Sequence, residues 1–379
     1  MTKAAAGHVR VTGLEARLIA TGIKMKRSQG IGSVQGKVKR ILLRLRTDAG
    51  VEGIGEAAPW EVFSGTAEAA LAALDLYLRP IVVGADPRRI QSIMAACDRA
   101  LYDNFEAKAA VEMALFDICG KLAGLPVHGL LGGAVRDRIP MSFSIANPDI
   151  DADVVMAKRL HGEGVRIFKV KTGFSDHAND MRRLTKLRKE LPDDIDLRVD
   201  YNQGLQSWDA LPKLREIEQF KPTFIEQPVP RPQLDVMAAL TAALDTPVMA
   251  DEAVFSPAEA LRLVEKRAAD IVSVKLMKSG GILNARKINA ICETAGIPCY
   301  GGTLWEGGVA LAAGTHFIAA TANMSLGCEF YMPKFVLEED VLTEIVPIED
   351  GHVVVPQGPG LGITLNEDAV DKLTVKKLA

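Results

Sequence analysis

Leu197-Arg198-Val199-Asp200-Tyr201-Asn202 alternates apolar and polar residues and ends in a carboxylate and an amide two positions apart. As a strand it places Arg198, Asp200 and Asn202 on one face, because side chains alternate at period 2. The pattern recurs. Thr223-Phe224-Ile225-Glu226-Gln227-Pro228 ends a second short apolar run at Glu226, and Pro247-Val248-Met249-Ala250-Asp251-Glu252 ends a third at Asp251. The three carboxylates are spaced by 26 and 25 residues, the length of a strand, a crossover helix and two short loops. Consecutive strands of a parallel sheet would then deliver one carboxylate each to the same end, and three convergent carboxylates call for a divalent cation.

With 379 residues, 48% of them hydrophobic and 25% charged, the chain is long enough for two domains and carries no compositional sign of disorder. A net charge of −3 leaves no basic footprint for nucleic acid or an acidic membrane surface, so a small-molecule partner is expected. Five cysteines (Cys97, Cys119, Cys292, Cys299, Cys328) form no CxxC pair and are odd in number. They read as reduced thiols in a cytoplasmic protein, without a zinc or disulfide framework. The first ten residues hold no apolar core with a cleavage site, and no run of about 18 apolar residues occurs anywhere, so neither export nor a membrane span is expected.

Residues 9–21 and 39–47 read as strands, and the turn Asp48-Ala49-Gly50 returns the chain as a third over 51–56, an antiparallel meander after a loose tail. Residues 24–36, rich in Lys, Gly, Ser and Gln, read either as a mobile surface loop or as a lid. The loop 57–65, with Trp60 and Phe63, reads either as pinned to the core or as a pocket wall. From 66 to 125 the spacing turns helical, most clearly over 107–122, ending at Gly124 and Pro126. Residues 1–133 are therefore an α+β unit, with Gly132-Gly133 at its boundary. Residues 134–335 alternate short strands and helices, with strands expected over 140–146, 167–171, 196–202, 223–228, 247–252, 270–277, 298–303 and 325–331. That is the pattern of a TIM-like (β/α) barrel. An open doubly wound sheet is the alternative, but no GxGxxG follows an early strand. Residues 336–379 are loop-rich, with Pro347, Pro356 and Gly358-Pro359-Gly360, and are expected to pack back on the first unit.

Every charge that suggests chemistry falls at the C-terminal end of an expected barrel strand, where such barrels place their active sites. Phe168-Lys169-Val170-Lys171-Thr172 puts two lysines on one face among apolar neighbours, although a KxK alone is more often a solvated edge. Ser273-Val274-Lys275-Leu276 adds one lysine on the sixth strand. Strands two and six lie opposite each other in an eight-stranded barrel, so Lys171 and Lys275 approach a bound molecule from opposite faces. Mg²⁺ or Mn²⁺ held by Asp200, Glu226 and Asp251 would complete its shell with a substrate carboxylate and stabilise an enolate. A lysine, its pKa lowered by the cation, would move the α-proton. The structural alternative is that buried lysine–carboxylate pairs brace the barrel. Five such charges on successive strand ends weigh against it, because buried ion pairs seldom stabilise a fold more than apolar packing does. Glu329, in Gly327-Cys328-Glu329-Phe330, reads equally as a partner of substrate or lysine and as structural. Gly301-Gly302-Thr303 reads as an anion contact or a plain turn, His316 as a core histidine, and Gly280-Gly281 as a helix start without a supporting phosphate pattern.

Lys169-Val170-Lys171, Asp200-Tyr201-Asn202, Ile225-Glu226-Gln227-Pro228, Asp251-Glu252 and Lys275 together resemble the enolase superfamily, and within it the muconate lactonizing enzyme (muconate cycloisomerase) subgroup. The resemblance covers nearly the whole chain. It implies a (β/α)7β barrel with an N-terminal α+β capping domain completed by the C-terminal segment. It implies Asp200, Glu226 and Asp251 as metal ligands with Asn202 and Glu252 behind them, Lys171 as the acid/base with Lys169 beside it, and Lys275 on the opposite face. It also implies a homo-oligomer. Tyr300-Gly301-Gly302-Thr303-Leu304-Trp305-Glu306-Gly307 resembles the muconate cycloisomerases themselves. The dipeptide epimerases carry paired aspartates at the eighth strand, where this chain has Glu329-Phe330-Tyr331; the loop 60–65 departs from the cycloisomerase cap loop. The activity so implied is lactonisation of cis,cis-muconate to muconolactone. The runner-up is a racemase or epimerase of an N-substituted amino acid, using the same two lysines. Lys24, Lys26, Arg27 and Ser28 favour the diacid, for which a cationic or hydroxyl wall is needed. A non-enzymatic scaffold would be marked by a lost ligand residue, and none is missing.

Overall fold

The computed structural model describes residues 8–378. The tail expected before residue 9 lies, apart from His8, outside the described residues. The chain opens with β1 (Val11–Gly22), a short hairpin of β2 (Arg27–Gln29) and β3 (Gly32–Val34), then β4 (Lys37–Thr47) and β5 (Glu52–Ala57). The hairpin occupies the segment whose composition reads as a loop; its two strands pair with each other, and the Ser28 N–H also bonds the Ala146 carbonyl at 2.8 Å. Helices follow, the longest being Phe105–Ala123, which ends at Gly124 in the left-handed conformation that glycine adopts freely. This helix lies directly on β5. A Cβ at Gly53 or Gly55 would sit 2.1 and 2.0 Å from the Ala114 and Ala110 carbonyl oxygens, so the alanine-rich helix and the glycines of the strand are two halves of one close approach.

After β6 (Arg138–Pro140) come seven parallel strands with helices between them: β7 (Ser142–Ile145), β8 (Ile167–Lys171), β9 (Asp196–Asp200), β10 (Ile225–Glu226), β11 (Val248–Ala250), β12 (Ile271–Val274) and β13 (Cys299–Gly301). They pair in sequence order, as successive right-handed crossovers require. The eighth strand expected over 325–331 is reduced to one residue. Cys328 bridges Met141 on one side and Gly301 on the other, and its backbone N–H and C=O bond Pro140 and Ser142 at 2.9 and 2.7 Å. Gly327, at φ +83°, and the wide helical turn Met332–Val336 leave no room for a longer strand. The barrel is nonetheless closed through that residue. The strand expected over 270–277 also ends early, at Val274, and gives way to the helical turn Leu276–Ser279.

The last segment returns to the start. β14 (Ile348–Glu349) and β15 (His352–Val354) join β6 in a three-stranded sheet, and β16 (Thr374–Leu378) pairs antiparallel with β1 to give the order β16-β1-β4-β5. Glu56 on β5 accepts from the Gly307 and Ala310 N–H groups at the start of the barrel helix Gly308–Ala319, at 2.8 and 2.9 Å. Among the described residues no helix is long and apolar enough to cross a membrane.

Inside the barrel, Phe224, Met249, Ile271 and Tyr300 form their own cluster, with Phe224 and Tyr300 edge to face at 5.8 Å. The Arg198 guanidinium lies over both rings, 4.9 and 5.1 Å from their centroids, and is held by Asp196 and the Leu326 carbonyl. This layer plugs the interior below the strand ends.

Candidate active site

Parallel register brings the charges together. Lys171 is level with Asp200, and Asp200 with Glu226; Asp251 lies two residues beyond the Met249 that pairs with Glu226. Asp200, Glu226 and Asp251 are fully buried, as is Lys169 at 1% exposure. The Lys169 ammonium touches Glu226 at 2.5 Å, Glu329 at 2.9 Å and Asp200 at 3.2 Å. Lys171 bonds Asp200, and Asn202 Oδ1 at 2.9 Å. Lys275 bonds Asp251 Oδ2 at 2.5 Å. The structure therefore gathers Lys169, Lys171, Lys275, Asp200, Glu226, Asp251 and Glu329 into one network, with Asn202 Nδ2 donating to Glu252 Oε1 at 3.1 Å behind it.

Asn202 arrives there by a different route from simple alternation. β9 ends at Asp200, and Asn202 and Gln203 both take positive φ, 41° and 65°, so a turn and not the strand aims the amide at Lys171. Of Lys24, Lys26, Arg27 and Ser28, only Arg27 lines the cavity above these groups. Lys24 and Lys26 are exposed, Lys24 donates to the Lys334 carbonyl, and Ser28 bonds Ser33. Arg27 is buried at 2% exposure and donates to Ser144 O and Tyr331 Oη.

Several participants carried no signal strong enough to single out. Lys278 is fully buried and bonds Asp251 Oδ1 at 2.8 Å and the Asp251 carbonyl at 2.5 Å; it lies one helical turn past Lys275, where a strand through 277 hid the spacing. Gln227 accepts from the Asp251 and Ala253 N–H groups and so fixes the Asp251 backbone. Ser144 donates to Glu329 Oε1 at 2.5 Å. It is the second polar residue of Ser142-Phe143-Ser144, an inward-facing alternation that the sequence does offer. His316 is the core histidine expected, its Nε2 3.1 Å from the Leu361 carbonyl oxygen.

Burial sets the electrostatics, and the lysines then divide the carboxylates. Burial alone would raise Asp200, yet Lys171 and Lys169 bring it below its ordinary value; Lys275 and Lys278 overcome burial at Asp251 in the same way. Glu226 is instead driven well up, by burial and then by the neighbouring Asp200 charge, and among the described residues its Oε1 has no partner. Burial and the Asp251 and Asp200 charges push Glu252 up to about 7. Burial lowers Lys278, whereas at Lys275 the Asp251, Glu226 and Glu252 charges outweigh burial and raise it. The lowered lysine expected from a nearby cation is thus not a property of the chain by itself: without added positive charge, Lys275 is an ammonium and a poor base.

Five buried carboxylates (Asp200, Glu226, Asp251, Glu252, Glu329) face four lysines here. Among the described residues no three acidic, histidine or cysteine side chains already converge as a metal shell, because the ammoniums of Lys169, Lys171 and Lys275 take the oxygens that point inward. The excess of carboxylate, the orphaned Glu226 oxygen and the all-oxygen donor set fit a hard divalent cation.

Above the network lies a small cavity of about 40 Å³. Lys171 and Lys275 both line it. Arg27, Gln29 and Ser144 supply a polar side, and Trp60, Phe63 and Trp305 an aromatic one, with Trp60 edge-on to Trp305 and the Phe63 ring 4.7 Å from the Lys275 ammonium. Both segments between expected elements, 24–36 and 57–65, thus contribute to its wall.

Comparison with known proteins agrees with this architecture. Residues 20–132 match the N-terminal domain of mandelate racemase / muconate lactonizing enzyme, and residues 153–369 match the enolase C-terminal domain-like family. Muconate cycloisomerase 1 of Rhodococcus opacus is 35% identical over 348 residues, 88% of this chain and 90% of the relative. L-Ala-D/L-Glu epimerase of Bacillus subtilis is 33% identical, over 85% of this chain and 88% of the relative. The crystal structure of a muconate cycloisomerase from Azorhizobium caulinodans superposes with a TM-score of 0.85 at 51% identity, covering 97% of this chain and 99% of that one. With matches of this extent the chain belongs to the enolase superfamily, in its muconate lactonizing enzyme subgroup, and is an enzyme of the isomerase class.

Proposed function

We propose that the chain is a metal-dependent cycloisomerase that lactonises cis,cis-muconate to muconolactone. The observation that carries the reading is the cavity itself: two lysines at its base, over three buried carboxylates, and the Arg27 cation in its wall. Asp200, Glu226 and Asp251 would hold Mg²⁺ or Mn²⁺, with Asn202 and Glu252 orienting Asp200, Lys171 and each other. A cation held there would supply positive charge to stabilise an enolate and to offset the carboxylates that hold Lys275 as an ammonium. One substrate carboxylate adds to the diene, and Lys171 delivers its proton to the α-carbon. Lys169 and Glu329, bonded to each other, keep the charge beside Lys171 fixed. Lys275, with Phe63 packed over it, places a second cation on the other face. Arg27 and Gln29, in the cavity wall, suit the distal carboxylate of a diacid.

A second reading has its own support. Lys171 and Lys275 border one cavity, as two-base exchange of an α-proton needs, and an epimerase is among the relatives. The reading as a whole carries a small carboxylate substrate and a cytoplasmic homo-oligomer.

The deciding experiment incubates the Mg²⁺-loaded protein with cis,cis-muconate in D₂O and follows proton NMR. A lactone bearing one deuterium at the α-carbon is the expected product. An unchanged diene, with deuterium instead washing into N-acylated amino acids, would replace the cycloisomerase by the racemase.

A further inference from the structure

Glu306 stands directly behind the cavity wall formed by Thr303, Leu304 and Trp305, and takes no part in the reaction as described. It is 4% exposed. Its Oε2 accepts from the Thr303 hydroxyl and from the Leu304 N–H. Asp200, Glu226, Asp251 and Glu329 each touch a lysine ammonium; Glu306, among the described residues, touches none. A buried carboxylate served by one hydroxyl and one amide favours its neutral form. Burial pushes it up to about 7, against those two hydrogen bonds, its own backbone N–H and the more distant Lys275 charge. The other charges packed against this loop satisfy one another: Arg40 lies between Glu56 and Asp340, at 3.2 and 3.6 Å, and Glu56 accepts from Gly307. Lys275 is held by Asp251.

A threonine hydroxyl has one hydrogen. An ionised Glu306 only accepts, so the Thr303 hydrogen is committed to it and the cavity meets the lone pairs of Oγ. A protonated Glu306 donates to Oγ instead, and the hydroxyl hydrogen turns into the cavity, where a carboxylate can accept it. We propose that Glu306 is a positioning residue that sets the direction of the Thr303 hydroxyl, so that its protonation switches Thr303 from repelling to binding a substrate carboxylate. This rests on the reading of the cavity as a site for a carboxylate substrate and adds to it the group that tunes affinity near neutral pH.

The test uses the Mg²⁺-loaded protein, succinate as the probe, and the fluorescence of Trp60 and Trp305, which line the cavity. Wild type is expected to bind succinate about tenfold more tightly below the Glu306 midpoint than above it, the size of one hydrogen bond to a charged group. Glu306→Gln, whose amide donates to Oγ at every pH, is expected to bind tightly and without pH dependence; Thr303→Val is expected to bind weakly and equally flat, and Thr303→Ser to restore the slope. Infrared difference spectra give a readout that needs no ligand: a protonated carboxyl band that titrates near neutrality and is missing from Glu306→Gln. The proposal is overturned if that variant keeps the wild-type slope or if no such band exists. Turnover of cis,cis-muconate is scored on the same samples. A protein that shows the titration and the succinate slope but leaves muconate unchanged loses the proposed substrate and keeps the Thr303 switch.

Discussion

Within the barrel, Phe224, just before β10, and Glu226, at its end, lie two residues apart and face the same interior, and Met249 on β11 and Asp251 just past it repeat the arrangement one strand over. The lower pair belongs to an apolar layer closed by Ile271 and Tyr300; the upper pair belongs to the lysine–carboxylate network. Both layers are buried apart from Lys171, stand on the same strands, and are separated by two residues' rise. The lower one is packed ring against ring under Arg198, with the Tyr300 hydroxyl its unpartnered polar atom among the described residues. The upper one is left in electrostatic tension, with an orphaned Glu226 oxygen and one more carboxylate than it has lysines. One period of a strand thus separates a layer that holds the fold from a layer arranged to receive charge, and each can be perturbed alone.

The sharpest separation is expected from Glu226→Gln. Loss of several kcal/mol of charge stabilisation should lower kcat by about 10⁴-fold. Because ionised Glu226 is disfavoured by burial and by Asp200, the metal-free variant should melt no lower than wild type. A clear fall in melting temperature would mean that the upper layer is packing after all. Lys171→Met is next. It should cost about 10³-fold in turnover, the range of a general acid, while Lys275→Met leaves solvent deuterium incorporation on the original face. Equal loss of exchange in both variants would favour the two-base racemase. Phe224→Ala inverts the pattern: about 3 kcal/mol or more of stability lost by chemical denaturation, with kcat per folded molecule close to wild type. The smallest effect is expected at the rim, where Arg27→Met should raise KM for cis,cis-muconate about tenfold and leave kcat little changed. An unchanged KM would remove Arg27 from the diacid contact.

Much of this was open to inspection in the chain. The spacing of Asp200, Glu226 and Asp251, and of Lys169, Lys171 and Lys275, follows from strand period and crossover length, which are local properties. Lys278 and Gln227 were not legible, because one depends on where β12 stops and the other on a backbone turn at φ +33°. Arg27 could be suspected but not separated from Lys24 and Lys26, since three cations in a short polar segment look alike until a hairpin turns one of them inward.

The sequence by itself determined the order of strands and helices and the identity of the residues at the strand ends, because alternation and chain length act over a few neighbours. Tertiary structure alone decided that the eighth strand shrinks to Cys328, that the returning C-terminal segment docks as a strand, β16, paired with β1, and that the carboxylates are answered by particular lysines. Those outcomes depend on closure of the barrel and on which charges are forced to share one desolvated space, and both are set by residues far apart in the chain.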